Sequence, residues 1–244
     1  MTHQEHSDLR NKVAVITGAS SGIGAATARH LHRLGASVVI AARRGDRLKE
    51  MADEFGNERV AWAEIDIRRP DHAADLFACA VDTFGGVDCL IANAGVGAYG
   101  GILDLSDGEI QDLIDTNLTG TIWTVRHAVP HLIARGGDIV LVSSVAGLRG
   151  RPDEAVYAAT KHGIVGIAGS LDRELRGCGI RVTAMCPGAT DTEFAMGRGR
   201  TPGMPQLTTM MRPDDVADAI VYALEQPASL RTLVWSMRSM ASEN

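Results

Sequence analysis

Short apolar runs recur along this 244-residue chain, and between them apolar residues repeat at helical spacing. The runs at 13–17, 37–41, 60–65, 88–92, 138–142, 180–185 and near 232–235 predict seven strands, each short, nearly all apolar and bounded by turn residues. Helical patterns follow the glycine-rich turn to about Leu34, where Gly35 stops the helix, and then cover about 46–54, 71–84, 106–134, 154–176 and 214–225. The long 106–134 pattern is expected to bend or break near 117–120. Strands apolar on both faces, joined by connections long enough to cross over, predict an α/β fold: a parallel sheet covered on both sides by helices. The length fits a single α/β domain. One stretch, 191–213, shifts to Gly, Pro, Met, Thr and Arg without a period and is read as a substrate lid.

Composition removes several classes of function. Hydrophobic residues at 45% and charged residues at 22% are ordinary for a globular protein, and no apolar run reaches the roughly 18 residues of a membrane span. A net charge of -6 argues against a nucleic-acid partner. Residues 1–8 are polar and lack the apolar core of a secretory signal, so they read as a frayed terminus of a cytoplasmic protein. Cys79, Cys89, Cys178 and Cys186 lack CxxC spacing and read as reduced, packed thiols. Cys186 precedes Pro187-Gly188 but has no evident base to activate it. His127 and His131 share a helical face without a third ligand at metal spacing, so no metal is expected.

Candidate chemistry sits in two places. Gly18, Gly22 and Gly24 follow the first strand directly and open a helix, in the run Thr17-Gly18-Ala19-Ser20-Ser21-Gly22-Ile23-Gly24. Small residues there let backbone approach a pyrophosphate, the free N–H groups of the helix terminus receive it, and Ser20 and Ser21 add hydroxyls. The second strand runs into Ala41-Ala42-Arg43-Arg44, where an acid would favour NAD and arginine favours the 2'-phosphate of NADP. The second place is Tyr157 and Lys161, four residues apart on one helical face. An ammonium beneath the ring is expected to lower the phenol pKa from about 10 toward that of a general acid/base.

These motifs resemble, in order and over nearly the whole chain, the classical short-chain dehydrogenases/reductases. Thr17 to Gly24 is similar to the family's TGxxxGIG turn, and Asn93-Ala94-Gly95 to its NAG motif after the fourth strand. Asn117 sits where the family's catalytic asparagine is expected, and Ser144, thirteen residues before Tyr157, at the usual serine interval; Ser143 is the weaker choice. Tyr157 and Lys161 match YxxxK, and the run from Pro187 and Gly188 through Thr190 to Thr192 resembles the segment that cradles nicotinamide. The resemblance implies a Rossmann-type doubly wound sheet, adenine contacts at Asp66 and Ile67, and NADP selection at Arg43.

It also implies an NADP(H)-dependent oxidoreductase acting on a small carbonyl or alcohol substrate. Ser144 would hold the substrate oxygen, Tyr157 exchange its proton, Lys161 keep the tyrosine acidic and bind ribose hydroxyls, and Asn117 hold a water that reprotonates the lysine. The ending Val234-Trp235-Ser236-Met237-Arg238 lacks the glycine-rich close of the family's fatty-acid-synthesis reductases, which weakens a 3-oxoacyl substrate. Val96, Tyr99, Leu148, Phe194, Met196 and Met204 are expected as an apolar substrate wall. Glu154 is a candidate for meeting a polar or amine group and Arg198 or Arg200 for meeting a carboxylate, but the expectation for all three is the solvent surface. Family analogy suggests a homotetramer or homodimer built on the 154–176 helix. The alternatives are an NADP(H)-binding redox sensor and an epimerase using the same fold.

Overall fold

The computed structural model describes residues 7–242, so most of the polar opening segment lies outside the described residues. Seven strands form one parallel sheet: β1 Val13–Thr17, β2 Ser37–Ala42, β3 Val60–Glu64, β4 Cys89–Ala92, β5 Gly137–Val142, β6 Ile180–Pro187 and β7 Val234–Met237. Their order is β3-β2-β1-β4-β5-β6-β7, with every neighbouring pair parallel. The sheet is therefore parallel, as the alternation of runs predicted, and Rossmann-like and doubly wound, as the resemblance implied. The order reverses between β1 and β4, so the chain leaves those two strands toward opposite faces and opens a crevice at their carboxyl ends.

Residues of the central strands alternate between two cores. Val15, Leu90, Ile139 and Val182 face one, with α3 Pro70–Phe84, α5 Gly120–Ile133 and α6 Ala155–Leu175 packed over them. Ile16, Ile40, Ile91 and Met185 face the other, beneath α1 Gly22–Arg33, α2 Gly45–Glu54 and α7 Pro213–Glu225. Burying both faces is why these strands read as unbroken apolar runs rather than as alternating ones. None of the helices in the described residues is long and apolar enough to cross a membrane.

Two elements depart from the sequence reading. The last strand lies two residues later than predicted because Trp235 and Met237 are its inward anchors while Val234 is half exposed, so its period of two begins past Thr232. The 106–134 pattern divides into α4 Asp107–Ile114, opened by a Ser106–Glu109 capping box, then a π-helical segment Asp115–Thr119, then α5. The expected irregularity is thus one wide turn inside a continuous helical path, not a break. Residues 191–213 hold turns, an isolated bridge between Thr190 and Met211 and a short 3-10 helix Pro205–Thr209.

Candidate functional site

At the carboxyl end of β1 the chain turns through Gly18 at φ +66°. A Cβ on Gly18 would lie 2.7 Å from the Ala94 Cα, and one on Gly24 would lie 2.5 Å from the Gly18 carbonyl oxygen. No larger residue fits either place, because the obstructing atoms are backbone. Thr17 Oγ1 accepts the N–H groups of Asn93 and Ala94 at 3.1 Å each, and Asn93 Nδ2 donates to the carbonyls of Thr17 and Gly18 at 3.0 and 3.2 Å. The Asn93 amide nitrogen is therefore occupied in holding the turn. Ser21 begins α1 without capping it by its side chain, and the first turn carries no acid. The helix N–H groups remain free donors aimed at an anion.

The two arginines after β2 have different surroundings. Arg43 is exposed, and its charge merely helps Arg68 lower the Asp66 carboxyl. Arg44 reaches the glycine turn, donating to Ser20 Oγ at 2.9 Å and Ser21 Oγ at 2.7 Å. Its Nη1 also meets Glu193, whose other carboxylate oxygen takes Arg47 at 2.7 Å. An open cleft of about 700 Å³ lies here, lined by Ser20, Ser21, Gly22, Arg29, Arg47 and Glu193. Glycines crowded by neighbouring backbone, uncapped helix donors and clustered guanidinium groups together fit a dinucleotide's pyrophosphate. Ile67 is buried and packs against Gly120, while the Asp66 carboxylate faces Arg68.

Ser144, Tyr157 and Lys161 come together where β5 meets α6. Ser144 follows β5, caps a short 3-10 turn by accepting the Ala146 N–H at 3.1 Å, and its hydroxyl stands near enough to Tyr157 to favour the ionised phenol. Ser143 is not equivalent: its hydroxyl is buried and donates to the Lys161 carbonyl at 2.9 Å. Lys161 Nζ donates to the Val142 carbonyl at 2.9 Å and lies 5.8 Å from the centre of the Tyr157 ring. Burial holds the lysine down to about 8. Burial likewise raises the Tyr157 phenol, reinforced by Tyr99 and opposed by the Ser144 hydroxyl. The expected lowering by Lys161 does not emerge from the protein groups, because desolvation outweighs a cation turned toward a carbonyl.

Asn117 sits in the π-helical segment, 1% exposed. Its Oδ1 accepts the Val96 N–H at 2.8 Å and its Nδ2 donates to the Val96 carbonyl at 2.9 Å. Its own carbonyl accepts the Thr121 hydroxyl at 2.8 Å. The side chain thus clamps the loop after β4 against the helix. A Cβ on Gly95 would lie 3.1 Å from Asn117 Oδ1 and 3.6 Å from Lys161 Nζ, so the NAG segment, the asparagine and the lysine share one place.

After β6, Pro187 and Gly188 lead the chain back over the turn. The Gly188 N–H donates to the Met237 carbonyl at 2.8 Å, Thr190 is buried, and Thr192 lies against Gly22, its Cγ2 2.9 Å from where a Cβ would stand. Val96, Tyr99 and Phe194 pack around Tyr157, with the Tyr99 and Phe194 rings 5.9 and 5.7 Å from it. Leu148 is 42% exposed and Met204 accepts the Thr201 N–H within its own turn, so neither joins that wall. Arg198 is exposed, as expected, and pairs with Asp112 at 3.3 Å. Glu154 is half-buried and accepts the Arg151 N–H at 2.7 Å. Arg200, also expected in solvent, is 9% exposed. Cys186 is buried with its thiol pushed up, and Cys178 is exposed rather than packed. No cluster that could hold a metal occurs among the described residues. Thr17 and Glu193 escaped the sequence reading; Thr17 ended a strand in plain view, while Glu193 had no local signal.

Comparisons with known proteins follow the same outline. A family model described as short chain dehydrogenase matches residues 12–203. An uncharacterized oxidoreductase of Staphylococcus aureus (strain MRSA252) is 34% identical over 220 residues, covering 90% of this chain and 93% of the relative. The structure of an alcohol dehydrogenase from the archaeon Thermococcus sibiricus, complexed with 5-hydroxy-NADP, superposes with a TM-score of 0.88 at 32% identity, covering 96% of this chain and 98% of that one. A short chain dehydrogenase from Mycobacterium paratuberculosis, bound to NAD, gives 0.84 at 28% identity and covers 95% and 97% of the two chains.

Proposed function

The chain belongs to the short-chain dehydrogenase family, and on that premise we propose that it is an NADP(H)-dependent oxidoreductase interconverting a small carbonyl compound and its alcohol. The observation that carries the reading is the convergence of Ser144, Tyr157 and Lys161 on one aromatic-walled place beside the glycine turn. Nicotinamide supplies or accepts the hydride when bound. Gly18, Ser20, Ser21, Gly22, Ile23 and Gly24 would hold the pyrophosphate, with Asp66, Ile67 and the backbone of Asn93, Ala94 and Gly95 along the dinucleotide. Pro187, Gly188, Thr190 and Thr192 would border its nicotinamide end. Arg44 supports the choice of NADP more directly than Arg43, since it already stands over the turn's two serines. One related structure holds NADP chemistry and another NAD, so the arginines rather than kinship favour the phosphate.

Each side chain then has a task that its surroundings allow. Ser144 donates to the substrate oxygen and fixes it near Tyr157. The raised Tyr157 stays a phenol at neutral pH, so it delivers a proton to the developing alkoxide during reduction. Lys161, titrating at about 8, can pass a proton onward and donate to ribose hydroxyls. Asn117 keeps Lys161 and Gly95 in register by its clamp on Val96. The 191–213 segment would close over the substrate as a lid, and α6 would carry the contact of a homodimer or homotetramer in the cytoplasm.

Tyr157→Phe tests the assignment. NADPH oxidation with a panel of aldehydes and ketones is expected to fall at least a thousandfold, with NADPH affinity nearly unchanged. Turnover within tenfold of the parent would remove the tyrosine from this role, and absence of turnover by the parent itself would favour a redox sensor.

A further inference from the structure

One charge near Tyr157 is unused by the chemistry above. Arg200 is nine-tenths buried on the 191–213 segment, and its Nη1 donates to the Thr190 carbonyl at 2.9 Å. Its guanidinium carbon lies 5.9 Å from the Phe194 ring centre, and the group reaches the Tyr99 hydroxyl, which it lowers. Those two rings flank Tyr157, so the guanidinium stands one ring away from the proposed proton donor, and its charge is felt there as well.

The placement is built by the backbone. The Arg200 N–H donates to the Ala195 carbonyl at 3.1 Å, the Gly197 N–H donates to the Arg200 carbonyl at 2.8 Å, and the Tyr99 N–H ties the same turn down through the Arg198 carbonyl at 3.0 Å. Gly199, at φ +110°, lets that turn lie on the Tyr99 ring, since a Cβ there would approach Tyr99 Cβ to 2.7 Å. Arg200 is therefore held inside by its own loop, unlike a long side chain folded back onto a surface.

Neighbouring arginines have acidic partners: Arg44 and Arg47 share Glu193, and Arg198 meets Asp112. Among the described residues no carboxylate pairs with Arg200. Glu154 is felt at both tyrosines, yet it engages the Arg151 N–H and does not pair with Arg200. Taking a guanidinium out of water without a counterion is costly, and a carbonyl and the Phe194 face offset only part of that. A planar fork of donors one ring from the reacting oxygen matches a carboxylate.

We propose that Arg200 receives a carboxylate on the substrate, so that the enzyme interconverts hydroxy acids and oxo acids. The inference rests on the oxidoreductase reading above. In the oxidative direction the carbinol carbon gives its hydride to NADP+, the hydroxyl proton goes to Tyr157 as the tyrosine's own proton passes by way of the ribose hydroxyls to the neutral amine of Lys161, and the carboxylate is unchanged on Arg200.

Two measurements test it separately from that reading. In calorimetric titrations of the NADP+-saturated full chain, butanoate is expected to bind at least tenfold more tightly than butanamide. Arg200→Gln should erase that preference, Arg200→Lys should restore part of it, and both variants should keep the parent's NADP+ affinity. In turnover, kcat/KM for 3-hydroxybutanoate is expected to exceed that for its methyl ester, with the ratio falling at least tenfold in Arg200→Gln. Equal binding of butanoate and butanamide, or a preference that survives Arg200→Gln, would overturn the carboxylate site while leaving turnover of neutral alcohols to support the parent reading. Butanoate binding lost with Arg200 but without turnover of any alcohol would support the anion site and remove the dehydrogenase reading.

Discussion

Lys161 is a charged group surrounded by protein, and its surroundings set how the molecule responds to pH. Burial lowers its folded value to about 8 from an ordinary 10.5. The unfolded chain therefore holds this proton more tightly than the fold, and protonation favours unfolding. The sign follows: the penalty is absent above about pH 10.5, grows as pH falls toward 8, and is complete below it. Lys161→Met is accordingly expected to be more stable than the parent at pH 7, by on the order of 3 kcal/mol less the lost hydrogen bond to Val142, while losing turnover. Urea unfolding of both proteins at pH 7, 9 and 10.5 checks this, and the gap should narrow as pH rises. A gap that widens would mean that the ammonium is stabilised where it sits. Tyr157 works in the same dry place with the opposite charge type, so burial pushes the two values apart, the phenol up and the amine down.

At the scale of elements, the sheet and most helices could be read from the chain because each is a local pattern repeated under one constraint. Strands buried on both faces must be apolar throughout, and Gly35 ends α1 by a local backbone rule. The glycine turn was legible for the same reason, since Gly18 and Gly24 answer to backbone atoms 2.7 and 2.5 Å away. What the pattern does not carry is orientation. Arg43 and Arg44 are adjacent letters of one charge, and only the path out of β2 decides that Arg44 covers the serines. The burial of Arg200 depends on a turn formed over Tyr99, a residue about a hundred positions earlier in the chain. Near Asn117 the sequence announced a disturbance but not its kind. A π-helical turn takes one residue more than an α-turn, which shifts the phase of everything after it. Here that extra residue lets the Asn117 side chain face Val96 while α5 keeps Val125, Ala128 and Leu132 on the core.

For the whole molecule, the outward face of α6 bears on assembly. Ala159, His162, Gly166, Gly169 and Ser170 are exposed along it, and nothing lies within 4 Å of a Cβ built on Gly166 or Gly169. Each glycine inside a helix costs about 1 kcal/mol relative to alanine, so two on one open face are costly unless something uses the space. A second copy's helix would use it. Gly166→Arg is expected to halve the solution mass measured by light scattering, with the thermal transition of the subunit preserved; an unchanged mass would put the contact elsewhere.

Glu193 has a consequence for the sequence of events in turnover. Its carboxylate fastens the segment bearing Phe194 and Arg200 to Arg44, proposed to take the ribose phosphate, and to the adjacent Arg47. A phosphate arriving at those guanidinium groups competes with Glu193 and loosens the segment's hold before any substrate has to pass beneath it. The expected result is an ordered mechanism, dinucleotide first on and last off, in which NADP+ inhibits competitively against NADPH and noncompetitively against the carbonyl compound. Glu193→Gln is expected to tighten NADPH by about twofold to fivefold, the scale of an exposed ion pair, and to leave NADH unchanged. With the fastening gone, substrate should also gain access to the free enzyme, and the inhibition pattern should shift toward random order.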